Sequence, residues 1–205
     1  MIYNDGKSGF LTTIIGPMFS EKSGELIKRC KQAEKYQNKK VIVYKPILDN
    51  RYSEDEVVSR IGLRINAHRL NQNLSEEDIQ GKVYDLCKNV DMVAFDEAQF
   101  FSEEIVDIVR NLVGLGKEVI VDGLNLDYLG RPFGSMGNLL LFSDEIITKN
   151  AFCKCCGRPA MYTQRLIDGK PDTGTEGGLV LIGDTESYEP RCRLCYESDL
   201  FKTDL

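Results

Sequence analysis

Apolar and polar positions along this chain switch repeatedly between two periods. Phe10–Ile15 (FLTTII) is a short β-branched run and reads as a buried strand. From about Lys22 to Tyr36 the period changes, and Leu26, Ile27, Cys30 and Ala33 recur at helical spacing on one face. Val41–Tyr44 (VIVY) reads as a second strand. Residues 45–70 are polar and irregular, with Pro46, Asp49, Asn50 and Arg51 marking a loop. Ser75 followed by Glu76, Glu77 and Asp78 sets a hydroxyl cap and acids at the positive end of a helix that should run to about Cys87. Asp91–Phe95 (DMVAF) is a third strand. A helix opens at Ser102, Glu103 and Glu104 and stops near Gly114 and Gly116, and Glu118–Val121 (EVIV) is a fourth strand.

Strands alternating with helices predict an α/β fold, a mostly parallel sheet flanked by helices and joined by right-handed crossovers. The pattern weakens after about residue 150, where cysteines, Gly157, Pro159 and a Gly-rich segment, Asp168–Gly178, take over. This divides the chain into a domain over 1–150 and a small appendage with a long loop over 151–205. At 205 residues there is room for both. No apolar run approaches the length of a bilayer span, so no membrane partner is expected. Met1–Phe10 lacks the apolar core of a secretion signal, which makes the cytoplasm the expected compartment. A net charge of −6 speaks against a duplex nucleic-acid partner. Lys28, Arg29, Lys31, Lys35, Lys39 and Lys40 form a basic stretch, but lying mostly on one predicted helix they read as a solvated face.

Among the seven cysteines, two Cys-x-x-Cys pairs, Cys153/Cys156 and Cys192/Cys195, have the spacing of a four-thiolate zinc site. Such a site would pin the base of a loop of roughly 35 residues. Buried thiols or a disulfide are the alternatives. Cys155 is an extra thiol that could compete, although the spacing favours Cys153 and Cys156. The single histidine, His68, reads as a surface residue of a polar loop.

Between the first strand and first helix lies Gly16-Pro17-Met18-Phe19-Ser20-Glu21-Lys22-Ser23. It fits the phosphate-loop pattern G-x-x-x-x-G-K-[ST] except that Glu21 stands in place of the second glycine. In this pattern backbone N–H groups cradle phosphates, the lysine reaches the β- and γ-phosphates, and the hydroxyl ligates magnesium. A residue with a Cβ at that glycine costs roughly 1–2 kcal/mol if φ is positive. Its carboxylate would also repel phosphate unless it swings out to solvent. The expectation is weakened, not abolished, ATP binding. Asp96 and Glu97 directly follow the third strand, on the side where open parallel sheets bind ligands. Asp96 could hold magnesium, and Glu97 could act as general base toward an attacking alcohol.

Taken together, these residues resemble the type II thymidine kinases, the cytosolic zinc-containing class. The matching segments are GPMFSEKS at 16–23, LDNRYSEDEVVSR at 48–60, DEAQFF at 96–101, GLNLDYLGRPFG at 123–134, CGRPAMYTQRLIDGKP at 156–171 and SYEPRCRLC at 187–195. The resemblance implies a P-loop nucleotide-binding domain over 1–150 and a zinc-binding, substrate-lasso domain over 151–205. It implies transfer of the ATP γ-phosphate to the 5′-hydroxyl of thymidine or deoxyuridine, with Mg2+ and a structural Zn2+. Glu97 would be the catalytic base. Gly16–Ser23, Asp49, Asn50, Arg51, Asp96 and Gln99 would serve the nucleotide, with Ser23 and Asp96 on magnesium. Met18, Phe100, Leu124, Tyr128, Phe133 and Thr163 would line the base pocket. Leu179, Val180, Leu181, Ile182 and Gly183 would form a lasso reading the thymine edge through its main chain, anchored by Tyr188. Feedback inhibition by dTTP and a homotetramer are implied as well. The chain departs from the family at Glu21, and Cys195 stands where many bacterial relatives carry histidine. Two other readings remain: a non-catalytic nucleoside- or nucleotide-binding homologue impaired by Glu21, and a zinc-ribbon module that touches nucleic acid, against which the acidic balance speaks.

Overall fold

The computed structural model describes residues 9–48, 55–173 and 187–198. Its centre is a sheet of six parallel strands: β1 (Phe10–Ile15), β2 (Val41–Pro46), β5 (His68–Leu70), β6 (Met92–Phe95), β7 (Glu118–Gly123) and β8 (Glu145–Thr148). Their order across the sheet is β5-β2-β6-β7-β1-β8. Because side chains alternate along a strand, each central strand feeds two cores. Ile42, Tyr44, Val93, Phe95, Val119 and Val121 join the core on one face. Val43, Met92, Ala94 and Ile120 join the core on the other. This two-sided burial explains why the strands read as continuous apolar runs.

Helix α1 (Lys22–Gln37) covers one face through Leu26, Ile27, Cys30 and Ala33, the stripe expected from sequence. Lys28, Arg29, Lys31 and Lys35 lie on its outer side, with Lys39 and Lys40 just past its end, and the charge is partly neutralised: Arg29 bonds Glu25 at 3.1 Å and Glu145 at 2.7 Å, and Lys39 pairs with Glu118. Helix α3 (Glu104–Gly114) buries Ile105, Ile108, Val109 and Leu112 against the other face. The helix expected from Ser75 is capped as read, with the Ser75 hydroxyl accepting the Asp78 N–H at 3.1 Å. It is π-helical over Asp78–Tyr84 before a last α turn, α2 (Asp85–Cys87).

Residues 45–70 are less irregular than their polarity suggested. β2 extends to Pro46, β3 (Glu56–Val58) and β4 (Arg64–Asn66) form an antiparallel hairpin, and β5 adds a sheet edge. Each of these three strands has only three residues, too few for a period to show. His68 therefore lies in an edge strand, exposed, with its ring 5.8 Å from that of Tyr44. Helix α4 (Met136–Leu141) and β8 were also missing from the sequence reading.

Beyond β8 the chain builds small antiparallel sheets: β9 (Ala151–Phe152) with β10 (Pro159–Ala160), and β11 (Tyr162–Ile167) between β12 (Lys170–Pro171) and β13 (Tyr188–Arg191). The Gly-rich segment read as loop begins as a hairpin. Asp168 and Gly169, at φ 51° and 74°, make the two-residue turn joining β11 to β12. This lobe docks on the main domain. The Tyr196 hydroxyl donates to the Tyr128 carbonyl at 2.6 Å, and the Ser198 hydroxyl to that of Leu129 at 2.9 Å. Arg165, 2 % exposed, pairs with the buried Asp172 (Nε to Oδ2 2.6 Å) and lays its guanidinium 3.6 Å from the Tyr128 ring centre. Removing the carboxylate would take from a buried charge its ion-pair partner. Asp172→Ala is expected to cost about 3–5 kcal/mol, seen as a lowered denaturant midpoint. An unchanged midpoint would show the ion pair to be dispensable.

Candidate active site and metal centre

The phosphate-loop segment leaves β1 at Gly16. A Cβ there would lie 2.2 Å from the Lys149 carbonyl oxygen and 2.7 Å from Ser20 Oγ, so only glycine fits. Phe19 and Glu21 are left-handed, at φ 68° and 60°. Such turns gather backbone N–H groups into an anion-binding concavity, here continued by the N-terminus of α1. Lys22 is buried with its ammonium 3.0 Å from the Pro17 carbonyl, and Ser20 Oγ donates to the same carbonyl at 2.8 Å. Phe19 carries the Arg60 guanidinium 4.2 Å above its ring.

Glu21 therefore occupies the conformation for which the pattern reserves glycine. Its side chain does not swing clear to solvent. Oε2 is buried and, among the described residues, has no hydrogen-bond partner. It lies over Gly24, where an added Cβ would come within 2.9 Å of it. A glycine one position past the motif thus makes room for the glutamate inside it.

At the carboxyl end of β6 sit Asp96, 2 % exposed, and Glu97, itself left-handed at φ 52°. Two neighbours hold Glu97. Its N–H donates to Asp122 Oδ1 at 3.0 Å, and Gln99 Nε2 donates to its carboxylate at 2.5 Å. Gln99 Oε1 in turn accepts the Leu124 N–H at 2.9 Å. The Gln99 amide, expected to serve the nucleotide, bridges Glu97 and Leu124. Burial, and after it the charge of Glu97, pushes Asp122 up to about 6 against the pull of Lys22.

One cleft of about 630 Å³, counted with its open mouth, joins these parts. Met18–Gly24, Lys45, Glu56, Val58–Arg60, Asp96, Glu97 and Leu124 line it. Lys45 and Glu56 were not singled out from sequence; Glu56 lies within the resembling segment at 48–60, and Lys45 three residues before it. Asp122 was also missed, although an acid directly after the apolar run EVIV is a readable signal. Asp49, Asn50 and Arg51 lie outside the described residues, as do Leu179–Gly183.

The expected base-pocket residues fall in two groups. The Met18 N–H donates to Thr163 Oγ1 at 3.0 Å, and Met18 and Phe19 pack on Tyr128, Leu129 and Tyr188. Phe100 and Phe133 meet edge to face, their centroids 5.6 Å apart. Asp127 shapes the turn that presents Tyr128, its Oδ1 accepting the N–H groups of Leu129 and Arg131 at 2.9 Å each.

In the lobe, the ligand atoms of Cys153, Cys156, Cys192 and Cys195 all lie within 4.8 Å of one another, although 36 residues separate the pairs' inner members. All four are free thiols in this arrangement, and a quartet converging on one point is what a tetrahedral metal ion requires. Burial opposes ionisation of Cys153, yet the backbone N–H groups of Cys192, Cys156 and Cys155 draw its thiol down to about 6. Cys195, hydrogen-bonded to Cys156 and Cys192, is pushed up to about 12. Four sulfurs this close cannot all carry charge without a cation among them. Cys155 stands apart and meets Arg191. The quartet could therefore hold a metal ion without it.

A parallel α/β sheet with a phosphate loop, an acidic strand end and a four-cysteine lobe defines a P-loop-type protein with an attached lobe that could hold a metal ion. The family model described as thymidine kinase matches residues 9–196, and the chain belongs to that family. No helix among the described residues is long and apolar enough to cross a membrane.

Proposed function

We propose that this chain is an ATP-dependent thymidine kinase that moves the γ-phosphate of ATP to the 5′-hydroxyl of thymidine, or deoxyuridine. The observation that carries this reading is the meeting of Lys22, Ser23, Asp96 and Glu97 in one cleft at the strand ends of a thymidine kinase family chain. In this reading the Glu97 carboxylate takes the hydroxyl proton as the oxygen attacks phosphorus, and ADP leaves with the electrons of the broken P–O bond. Lys22 and the loop N–H groups offset charge on the phosphates. The Ser23 hydroxyl and Asp96 carboxylate are hard oxygen donors on the cleft wall and suit Mg2+, which would neutralise the β- and γ-phosphate oxygens.

Zn2+ would fill the cysteine quartet as a structural ion, all four positions supplied by protein. Met18, Leu124, Tyr128, Phe133, Phe100 and Thr163 would surround the base. Leu179–Gly183 would read its edge, with Tyr188 as anchor. Inhibition by dTTP, a homotetramer and residence in the reducing cytoplasm belong to the same reading.

The test is incubation of the chain with thymidine and MgATP. dTMP and ADP should form in equal amounts. Glu21 keeps one other reading open, a nucleoside-binding protein whose phosphate loop is disabled. That reading predicts thymidine binding with no dTMP, and turnover only in Glu21→Gly. For the kinase, Glu21→Gly removes both the left-handed strain and a carboxylate from the phosphate cleft. Calorimetry should then show MgATP binding about tenfold tighter, corresponding to roughly 1.4 kcal/mol. Equal affinities would refute the idea that Glu21 weakens the site.

A further inference from the structure

Asp122 is wholly buried in the centre of the sheet, a place where carboxylates are rare unless something there requires them. It follows the buried Val121 and sits beside Ile14 in the register with β1, while its side chain faces Glu97 and Lys22 and also bonds the Asp96 side chain. What it does follows from the way β6 ends. The ladder between β6 and β7 stops at Phe95 and Val121. The next N–H, of Asp96, turns to the Tyr44 carbonyl of β2 at 2.9 Å. The N–H after that belongs to Glu97, which has flipped into the left-handed region and left the sheet. Asp122 Oδ1 accepts it at 3.0 Å, so a side chain of β7 replaces the backbone acceptor that the ladder no longer offers.

The grip is completed from the same strand end. Leu124, two residues past Asp122, donates its N–H to Gln99 Oε1, and the other end of that amide donates to the Glu97 carboxylate. Glu97 is thus held by its backbone and by its side chain, both referred to β7. A non-glycine residue in the left-handed region returns to a commoner conformation unless its surroundings overdetermine it. Relaxation there would re-aim the carboxylate, and a shift of even 1 Å in a reacting group can cost a hundredfold in rate.

We infer that Asp122 is a positioning residue: its carboxylate oxygen anchors the Glu97 N–H and thereby aims the Glu97 carboxylate into the cleft. This rests on Glu97 being the base, as proposed above. The chemistry asks only for an acceptor oxygen of the right reach, so asparagine should substitute and alanine should not.

The experiment compares Asp122→Asn and Asp122→Ala with the native chain in steady-state thymidine phosphorylation. In Asp122→Ala, kcat should fall 10- to 100-fold while KM for thymidine and for MgATP stays within threefold. Asp122→Asn should restore kcat to within threefold of native. With Glu97→Gln already in place, Asp122→Ala should lower the residual rate no further, since both changes act through one group. Native kcat in Asp122→Ala, an asparagine variant that loses more than tenfold, or additive losses in the double variant would each overturn the assignment. If the alanine variant does not fold, the asparagine variant decides on the same threshold. A separate reading needs no turnover: amide exchange at Glu97 should be protected in the native chain and at least tenfold faster in a folded Asp122→Ala, and equal exchange would overturn the anchor. Failure of Glu97→Gln to slow catalysis would instead remove the base, and the exchange result would still stand by itself.

Discussion

Glu97→Gln should lower kcat for thymidine phosphorylation about a thousandfold, within the 10²–10⁴ range usual for a positioned general base. The exchange keeps size and shape and removes only the capacity to take a proton. The Glu97 N–H would still meet Asp122, and an amide oxygen could still accept from Gln99, so the residue has no reason to leave its place. KM for either substrate should therefore stay within a few-fold, and thermal denaturation should match the native chain. That pattern, a lost kcat on an intact binding site, marks an interaction made chiefly in the transition state. Steady-state kinetics with each substrate varied in turn is the check. A variant retaining a third or more of native kcat would remove Glu97 from the chemistry.

The second large effect is expected in the lobe. Metal binding to a quartet of thiolates is folding free energy wherever the site is not otherwise held together. Here the cysteines sit in a small buried cluster with Ala151 and Ala160, Phe19 packed against it, and the two chain segments are otherwise joined by the short β11–β13 ladder and the stacked rings of Tyr162 and Tyr196. Chelator treatment or Cys192→Ser should lower Tm by about 10 °C or more, since for a chain of this length each kcal/mol shifts Tm by roughly 2–4 °C. Elemental analysis should find about one zinc per native chain and less in the variant. Thymidine turnover should fall with Tm, because Thr163 reaches the Met18 N–H from this lobe and Tyr188 packs on Tyr128. Metal-free protein with native Tm and native turnover would show the quartet to be incidental.

The acidic strand end illustrates how far residue order reaches. That MVAF is a strand could be read from hydrophobicity, because a two-sided parallel sheet demands continuous apolar runs, and residue order puts Asp96 and Glu97 directly after it. The mouth of such a sheet is where its strands stop. The sequence did not show that Glu97 would be left-handed and gripped from β7, since that depends on a strand 25 residues further on. Glu21 is a similar case. Its misfit with the motif was plain, and so was the penalty if φ were positive; the positive φ and the room left by Gly24 belong to the tertiary structure. The polar stretch at 45–70 was misjudged for a different reason. Three-residue strands carry too short a pattern to be told from loop, and only pairing with a distant partner makes them strands.

Local chemistry alone therefore determined the elements with long apolar periods, the phosphate loop and its one foreign residue, and the cysteine spacing that predicts a metal. Periodicity and ligand spacing are properties of neighbouring residues, and they survive without a fold. The tertiary structure decided which strand ends meet and placed Asp122 under Glu97. It drew four sulfurs from two distant pairs together and seated the lobe on the turn at Tyr128. Those are contacts between residues far apart in the chain, and only packing against a common core brings them within hydrogen-bonding reach.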